Sequence, residues 1–569
     1  MQDRPGPVRF PIGVSDFRKL RELGLHYVDK SDLICQLNDK RGVEVVLLPR
    51  PRRFGKTTNL SMLRCFFEKR DEDLSHLFEG LEVWGAGDEH RAHFQRYPVI
   101  YMTFKGLKLE SFDRCRDAIR RKIAALFDEH RALLDSGTLS AREVKDYRAI
   151  LDGTAADEIY DGALLDLSRH LYRCHGEKVV ILIDEYDAPI HAGYIHGYAP
   201  QILDVSRAFL TGGLKDNPHL HKAVLTGILR IARESIFSGL NNVAVYSLLR
   251  REFSASFGFT EPEVEALLER VGRKDQMEAV RHWYNGYDFG GTVLYNPWSV
   301  LNYAADQDPE PKPFWLSTSS NDLIREQLER RAVTLQPALD ALLEGGGVER
   351  VLDENVALGQ LSTSEDALWS LLVFSGYLRA EKRSRGPMEE AAHLLSIPNR
   401  EVRKLYTGTF RDWMRARMVG HGGSLDRLTA ALLGGDAEVL EEQLQAFVVN
   451  LLSIHDPGTV DPERVYQAFV VGLLAVLEPS FQVRSNRESG HGRPDVMIRP
   501  AQPGRPGVVL ELKVARAPRK TLEQALAEGL SQLRDNDYAA ELRAAGASPV
   551  HAFAVAFDGK EVWVRSAGG

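Results

Sequence analysis

Val43-Glu44-Val45-Val46-Leu47-Leu48-Pro49-Arg50-Pro51-Arg52-Arg53-Phe54-Gly55-Lys56-Thr57-Thr58 is an apolar run that breaks into a basic loop and then into a stretch of helical spacing reaching about Lys69. Gly55-Lys56-Thr57 fits the end of the pattern G-x-x-x-x-G-K-[ST]. In that pattern the glycine lets backbone N–H groups approach phosphate oxygens. The lysine ammonium meets the β- and γ-phosphates, and the hydroxyl meets Mg²⁺. A helix opening at Lys56 adds its positive end. Arg53, Phe54, Gly55, Lys56, Thr57 and Thr58 are therefore the candidate nucleotide-binding stretch, with Thr57 as a metal ligand. Arg50 stands where the general pattern has its first glycine, so on its own the stretch also reads as a basic turn between a strand and a helix.

A second stretch decides between the two. Val179-Val180-Ile181-Leu182-Ile183 has no polar position, as suits a parallel strand covered on both faces, and it delivers Asp184-Glu185 at its carboxyl end. That is the Walker B arrangement: Asp184 would hold Mg²⁺ and Glu185 would polarise the attacking water. Open α/β sheets bind ligands at the carboxyl ends of their strands, so both motifs can share one crevice. The strand His221 to Thr226 brings Thr226-Gly227 to the same edge, where Thr226 could touch the γ-phosphate. Arg230 and Arg233 follow and are open candidates for an arginine finger. With a strand at Val99 to Phe104 and helices at Ser111 to His130 and Tyr160 to Tyr172, these segments predict an α/β fold whose first part, residues 1–252, is a doubly wound parallel sheet of the P-loop kind.

Residues 253–460 read as a mainly helical lid and linker, with a helix start at Thr260-Glu261-Pro262-Glu263 and helices at Ser364 to Phe374 and Asp436 to Leu452. The aromatic-rich stretch His282 to Tyr303 reads as core or lid packing, and Arg379 to Arg385 as a solvated loop. Residues 461–569 turn to α-β-β-β-α-β: a helix at Val465 to Leu477, strands at Phe481 to Arg484, Asp495 to Ile498 and Val508 to Val514, a helix at Leu522 to Leu533 and a strand at His551 to Phe557. Asp495 opens one strand, and Glu511-Leu512-Lys513 lies in the next, with Glu511 and Lys513 on one face. Asp495, Glu511 and Glu478, at the end of the preceding helix, could bind Mg²⁺, with Lys513 activating a water against a phosphodiester. As a bare triplet, Glu511 and Lys513 also read as an exposed charge pair on the strand.

The composition is that of a soluble globular protein of several domains: 569 residues, 44% hydrophobic and 27% charged, with 72 Lys and Arg against 80 Asp and Glu for a net charge of −8. That balance argues against a globally basic nucleic-acid coat, though not against a local basic groove. Cys35, Cys65, Cys115 and Cys174 form no C-x-x-C pair and predict reduced thiols. The start of the chain has no apolar h-region, and the longest apolar run, Ala468 to Leu477, is far short of a membrane span. A cytoplasmic protein without membrane contact is expected. His90, His93, His191 and His196 lack partners at metal-ligand spacing and read as surface residues.

These stretches together resemble a bacterial family of AAA-like ATPases fused to a C-terminal PD-(D/E)XK nuclease-like domain. The resemblance is carried by Tyr27-Val28-Asp29-Lys30-Ser31, Arg50 to Thr57, Ile183-Asp184-Glu185-Tyr186-Asp187, Leu225-Thr226-Gly227, Ser235 to Asn242 and Trp283-Tyr284-Asn285-Gly286-Tyr287. It implies that Arg50 to Thr57 is the family's own version of the phosphate loop. It also implies that Asp495, Glu511 and Lys513 take the metal and lysine positions, and that Gln532 to Tyr538 is the closing helix motif. The expected function is an ATP-binding and ATP-hydrolysing protein with a Mg²⁺-dependent nuclease domain, gated by ATP, acting on nucleic acid (DNA ahead of RNA) and serving in defence. The alternative is a regulatory NTPase switch or scaffold whose C-terminal domain binds nucleic acid without cutting it. Oligomeric state stays open.

Overall fold

A computed structural model of the chain describes residues 8–228, 242–315, most of 324–383, 391–408, 424–451, most of 462–485, 494–515, 520–536 and 538–567. The chain divides into two compact units, one of residues 1–320 with 349–401 and one of residues 321–348 with 402–569.

The first unit is built on a five-stranded sheet: β1 (Val45–Pro49), β2 (Val99–Thr103), β3 (Val179–Asp184), β4 (Leu220–Gly227) and β5 (Val243–Val245), in the order β2-β3-β4-β1-β5. All four pairings are parallel. Every residue of β1 and β3 is buried, which is why neither strand alternates in sequence. Helices Lys56–Phe67, Phe112–Glu129, Asp157–His175 and Ala199–Leu214 connect the strands. Parallel strands need such crossovers, and this alternation is the doubly wound pattern the sequence predicts.

The rest of this unit is mainly helical. Glu261–Arg270 starts as expected, with Thr260 and Glu263 forming a capping box and Pro262 in the first turn. The aromatic stretch folds as a helix (Met277–Tyr284), a hairpin of β6 (Tyr287–Phe289) and β7 (Thr292–Leu294), and a second helix (Pro297–Ala305). Tyr284, Tyr287, Phe289, Tyr295 and Tyr303 are all buried, so the stretch is core. One expectation fails here. Arg379–Arg383 is a strand, not a solvated loop: with β8 (Val348–Val351) and β10 (Ala392–Ser396), this β9 forms a sheet ordered β8-β10-β9. Only Ala380 of β9 is buried, and Arg379 Nη2 lies 3.7 Å from Asp288 of the hairpin. A strand exposed on most of its positions leaves no apolar alternation to read.

The second unit carries β11 (Phe481–Ser485), β12 (Val496–Pro500), β13 (Gly507–Val514), β14 (Val550–Asp558) and β15 (Glu561–Ser566), in that spatial order. Only β13 and β14 are parallel, and the helices Leu522–Asp535 and Ala539–Ala544 cross between them. Even-numbered residues of β13 (Val508, Leu510, Leu512) pack toward the helices Leu425–Gly434, Ala437–Leu451 and Pro462–Leu474. Val509 packs on the other face with Ala525, Leu526, Leu533 and Tyr538. Each fully buried Leu or Val contributes about 1.5–3 kcal/mol, so this alternation fixes which face of β13 carries Glu511 and Lys513. The helix at 539–544 and the last strand have no counterpart in the sequence reading. No helix among the described residues is long and apolar enough to cross a membrane.

Candidate active sites

The phosphate loop leaves β1 at Pro49 and is held in register by Arg50 N–H donating to Gly227 O at 3.0 Å. Arg53 (φ +67°) and Gly55 (φ +86°) both take left-handed backbone conformations before the helix begins at Lys56. Glycine adopts that conformation without strain, whereas arginine does so at a cost. The Lys56 ammonium is buried and donates to Arg50 O and Pro51 O, each at 2.9 Å, so the loop curls around it. Burial lowers its pKa, while Asp184 and Glu185 act in the opposite sense.

Because β4 lies between β1 and β3, three elements meet at one carboxylate. Thr57 Oγ1 donates to Asp184 Oδ2 and Thr226 Oγ1 to Asp184 Oδ1, both at 2.7 Å. Asp184 is fully buried. Glu185 follows with φ +52°, and burial, then the charge of Asp184, pushes its carboxyl above the usual range. Asp187, which the sequence reading quotes but gives no role, accepts from Ile228 N at 2.7 Å and lies 3.4 Å from His191 Nε2. It ties the end of β3 to the end of β4. The signal was available: a third acid within four residues of a buried strand's end.

The other loop residues divide their work. Phe54 is buried, its ring 4.9 Å from that of Tyr287 and 5.1 Å from that of Phe289, so its side chain anchors the loop to the hairpin rather than facing a ligand. The exposed Arg53 stacks its guanidinium 4.2 Å over the ring of Trp298. Thr58 lies within the first turn of the helix. Arg50, in the place of a glycine, is fully buried and donates to Pro49 O (2.8 Å), Tyr246 O (2.7 Å) and Phe253 O (3.2 Å). It stitches the loop's entry to a segment some 200 residues later. Arg230 and Arg233 lie outside the described residues.

In the second unit, Lys513 Nζ donates to Glu511 Oε1 at 2.8 Å, and both side chains are nearly inaccessible, at 7% and 3% exposure. The reading of them as an exposed charge pair is thereby excluded. Asp495, just before β12, accepts from Leu512 N through Oδ2 at 2.7 Å. Burial, then the charge of Asp495, raises the Glu511 carboxyl to about 7. Glu511 Oε2 is buried with no hydrogen-bond partner among the described residues, and so is Gln532 Oε1. The buried Tyr538 hydroxyl accepts from Asn536 Nδ2 at 3.0 Å and feels the charges of Glu511, Asp495 and Lys513. Glu478 lies outside the described residues. Among the described residues no group of three or more His, Cys, Asp or Glu is placed as a metal cluster.

The histidines need a correction. His90 is buried, and His93 and His191 are half-buried; only His196 of the four is a surface residue. His93 stacks on Tyr97, which stacks on His221, and His191 faces Asp187, so aromatic and charged neighbours hold them inside.

Residues 11–237 match the family model described as predicted AAA-ATPase, and residues 461–567 match that of the PD-(D/E)XK nuclease superfamily. An uncharacterized protein in the vnfD 5' region of Azotobacter chroococcum mcd 1 is 29% identical over 564 residues, covering 96% of each chain. The chain thus joins an AAA-ATPase-like domain to a C-terminal domain of the PD-(D/E)XK nuclease superfamily.

Proposed function

We propose that the protein binds and hydrolyses ATP at the carboxyl edge of its parallel sheet and cleaves nucleic acid, DNA ahead of RNA, at the Asp495–Glu511–Lys513 site, with nucleotide state controlling cleavage. The observation that carries the reading is the convergence of Thr57, Thr226 and the buried Asp184, from three elements distant in sequence, beside Lys56 and Glu185. Binding alone needs no acid to polarise water, so Glu185 favours hydrolysis.

Thr57 and Asp184 offer the hard oxygen donors that Mg²⁺ takes, and Asp495 and Glu511 offer a second set. The unpartnered Glu511 Oε2 is what a cation seat leaves when only protein atoms are considered. Bound there, Mg²⁺ would neutralise charge on the phosphates and the phosphodiester. The chain's own groups do the rest. Lys56 exchanges two loop carbonyls for phosphate oxygens. Glu185 accepts a hydrogen bond from the attacking water. Lys513, held by Glu511, orients a water or the phosphodiester. A second reading, a nucleotide switch whose C-terminal domain binds without cutting, draws support from the burial and mutual neutralisation of Glu511 and Lys513.

Lys56→Ala should weaken ATP binding about 10- to 100-fold, the worth of a charge-assisted hydrogen bond. Glu185→Gln should bind ATP and turn it over slowly. Equilibrium titration and phosphate release measure the two; unchanged affinity in the first variant, or wild-type turnover in the second, sinks the corresponding assignment.

A further inference from the structure

Arg53 has three features that anchoring the loop does not require. It is a non-glycine residue with φ +67°, two positions before Gly55, a conformation that costs energy and that Glu185, at the same site, also adopts. It is exposed, and its guanidinium lies 4.2 Å over Trp298, a contact that can be exchanged for a better anion. Partial burial lowers its pKa, and the charge of Glu185 acts in the opposite sense. Among the described residues, Arg52 shares the loop and acts on both Arg53 and Lys56 through its charge, without the left-handed backbone of Arg53. Arg50 is fully buried on three carbonyls, and Lys56 is the phosphate lysine. Lys105 and Lys122 also feel Glu185, but they stand outside the phosphate loop and lack a fork of donors.

We propose that Arg53 is an arginine finger supplied in cis: with nucleotide bound, its guanidinium leaves the face of Trp298 and meets the γ-phosphoryl oxygens as charge builds on them. The inference rests on the ATPase reading. The water oxygen bonds to the γ-phosphorus while the bond from that phosphorus to the β–γ bridging oxygen breaks. Both electrons of the broken bond stay with ADP, and the water's proton passes by way of Glu185 to solvent, leaving ADP and inorganic phosphate. Arg53 donates to the equatorial oxygens in the transition state and takes no proton. Trp298 is its resting place, which keeps the cation from collapsing onto Glu185 before substrate arrives.

The full-length wild type, Arg53→Ala and Trp298→Phe are compared for kcat, ATP affinity, trapping of ADP with aluminium fluoride, and tryptophan emission. Arg53→Ala should lose about 10³-fold in kcat, with ATP affinity within about threefold of wild type. It should fail to trap ADP–aluminium fluoride and should recover part of its rate in millimolar guanidinium. The wild type should change its emission on trapping, and Trp298→Phe should lack that change. Wild-type kcat in Arg53→Ala overturns the finger and leaves the ATPase reading intact. A parallel loss of ATP affinity makes Arg53 a ground-state ligand and also overturns it. A wild type that never hydrolyses ATP overturns both.

Discussion

Glu401 is fully buried, and its two oxygens pair with Ser299 Oγ at 2.7 Å and Trp315 N at 2.6 Å. Burial raises its carboxyl from the ordinary 4.5 to about 7. Ser299 Oγ donates to one oxygen and Trp315 N to the other, and both bonds offset part of the effect of burial without cancelling it. Between pH 4.5 and 7 the folded state then holds a proton that the unfolded chain has lost, so stability falls as pH rises through this window and levels off above it. The full effect is on the order of 3 kcal/mol. Glu401→Gln keeps one donor and one acceptor without the charge, so its melting temperature relative to wild type should rise across that window. A difference independent of pH refutes the assignment. Glu401 also marks what is legible at this scale. Lys56, Thr57, Asp184 and Glu185 could be read from sequence because each role depends on a strand end or loop a few residues away. The roles of Glu401, Arg50 and Asp187 depend on Ser299, Tyr246 and Ile228, partners that local spacing does not reveal.

Among the elements, the β6–β7 hairpin decides how firmly the phosphate loop is held, because Phe54 inserts against its Tyr287 and Phe289. The hairpin's entry is fixed by Gly286, with φ +95°, where an added Cβ would stand 2.1 Å from Pro398 O. Asn399 Nδ2 donates to Asn285 O at 2.8 Å beside it. Gly291, at the hairpin's turn, has φ +91° and open space around it. The pair separates backbone strain from collision. Gly291→Ala should cost about 1–2 kcal/mol, the strain of an L-residue at positive φ. Gly286→Ala carries the same strain and must also move a backbone carbonyl, so its loss should be clearly larger in denaturant titration. Equal losses would mean that the Gly286–Pro398 approach relaxes freely. Helices such as Lys56–Phe67, Phe112–Glu129 and Leu522–Asp535 and the buried strands β1 and β3 were legible because their periods are set by one apolar face or by complete burial, whereas Ala141–Leu151 and Ala199–Leu214 were not read. β9 and the hairpin strands were not: three- to five-residue strands with exposed positions carry too few alternations, and the glycines around Gly286 and Gly290 read as loop.

On the scale of the whole molecule, the two units are not beads on a single linker. The chain passes between them at 320/321, at 348/349 and at 401/402, so the unit bearing the nuclease-like sheet is made of two separate stretches of chain. A change of state in the first unit therefore has three covalent routes into the second, and the last begins at the residue after Glu401. Coupling between two sites requires that the ligand of one favours a state in which the other behaves differently. In the proposed reading nucleotide would supply that difference by drawing Lys56 from the two loop carbonyls it holds. If coupling operates, Lys56→Ala should change Mg²⁺-dependent cleavage of plasmid, linear DNA or RNA by about 5- to 150-fold relative to wild type with ATP, although Lys56 belongs to the other unit. Lys513→Ala should abolish cleavage and leave ATP hydrolysis at the wild-type rate, because Lys513 belongs to the unit that does not carry the phosphate loop. Wild-type cleavage by Lys56→Ala with and without ATP would reduce the two units to tethered neighbours. A wild type that binds nucleic acid and cuts none of these substrates under any nucleotide condition would turn the buried Glu511–Lys513 pair from a restrained catalyst into a binding element.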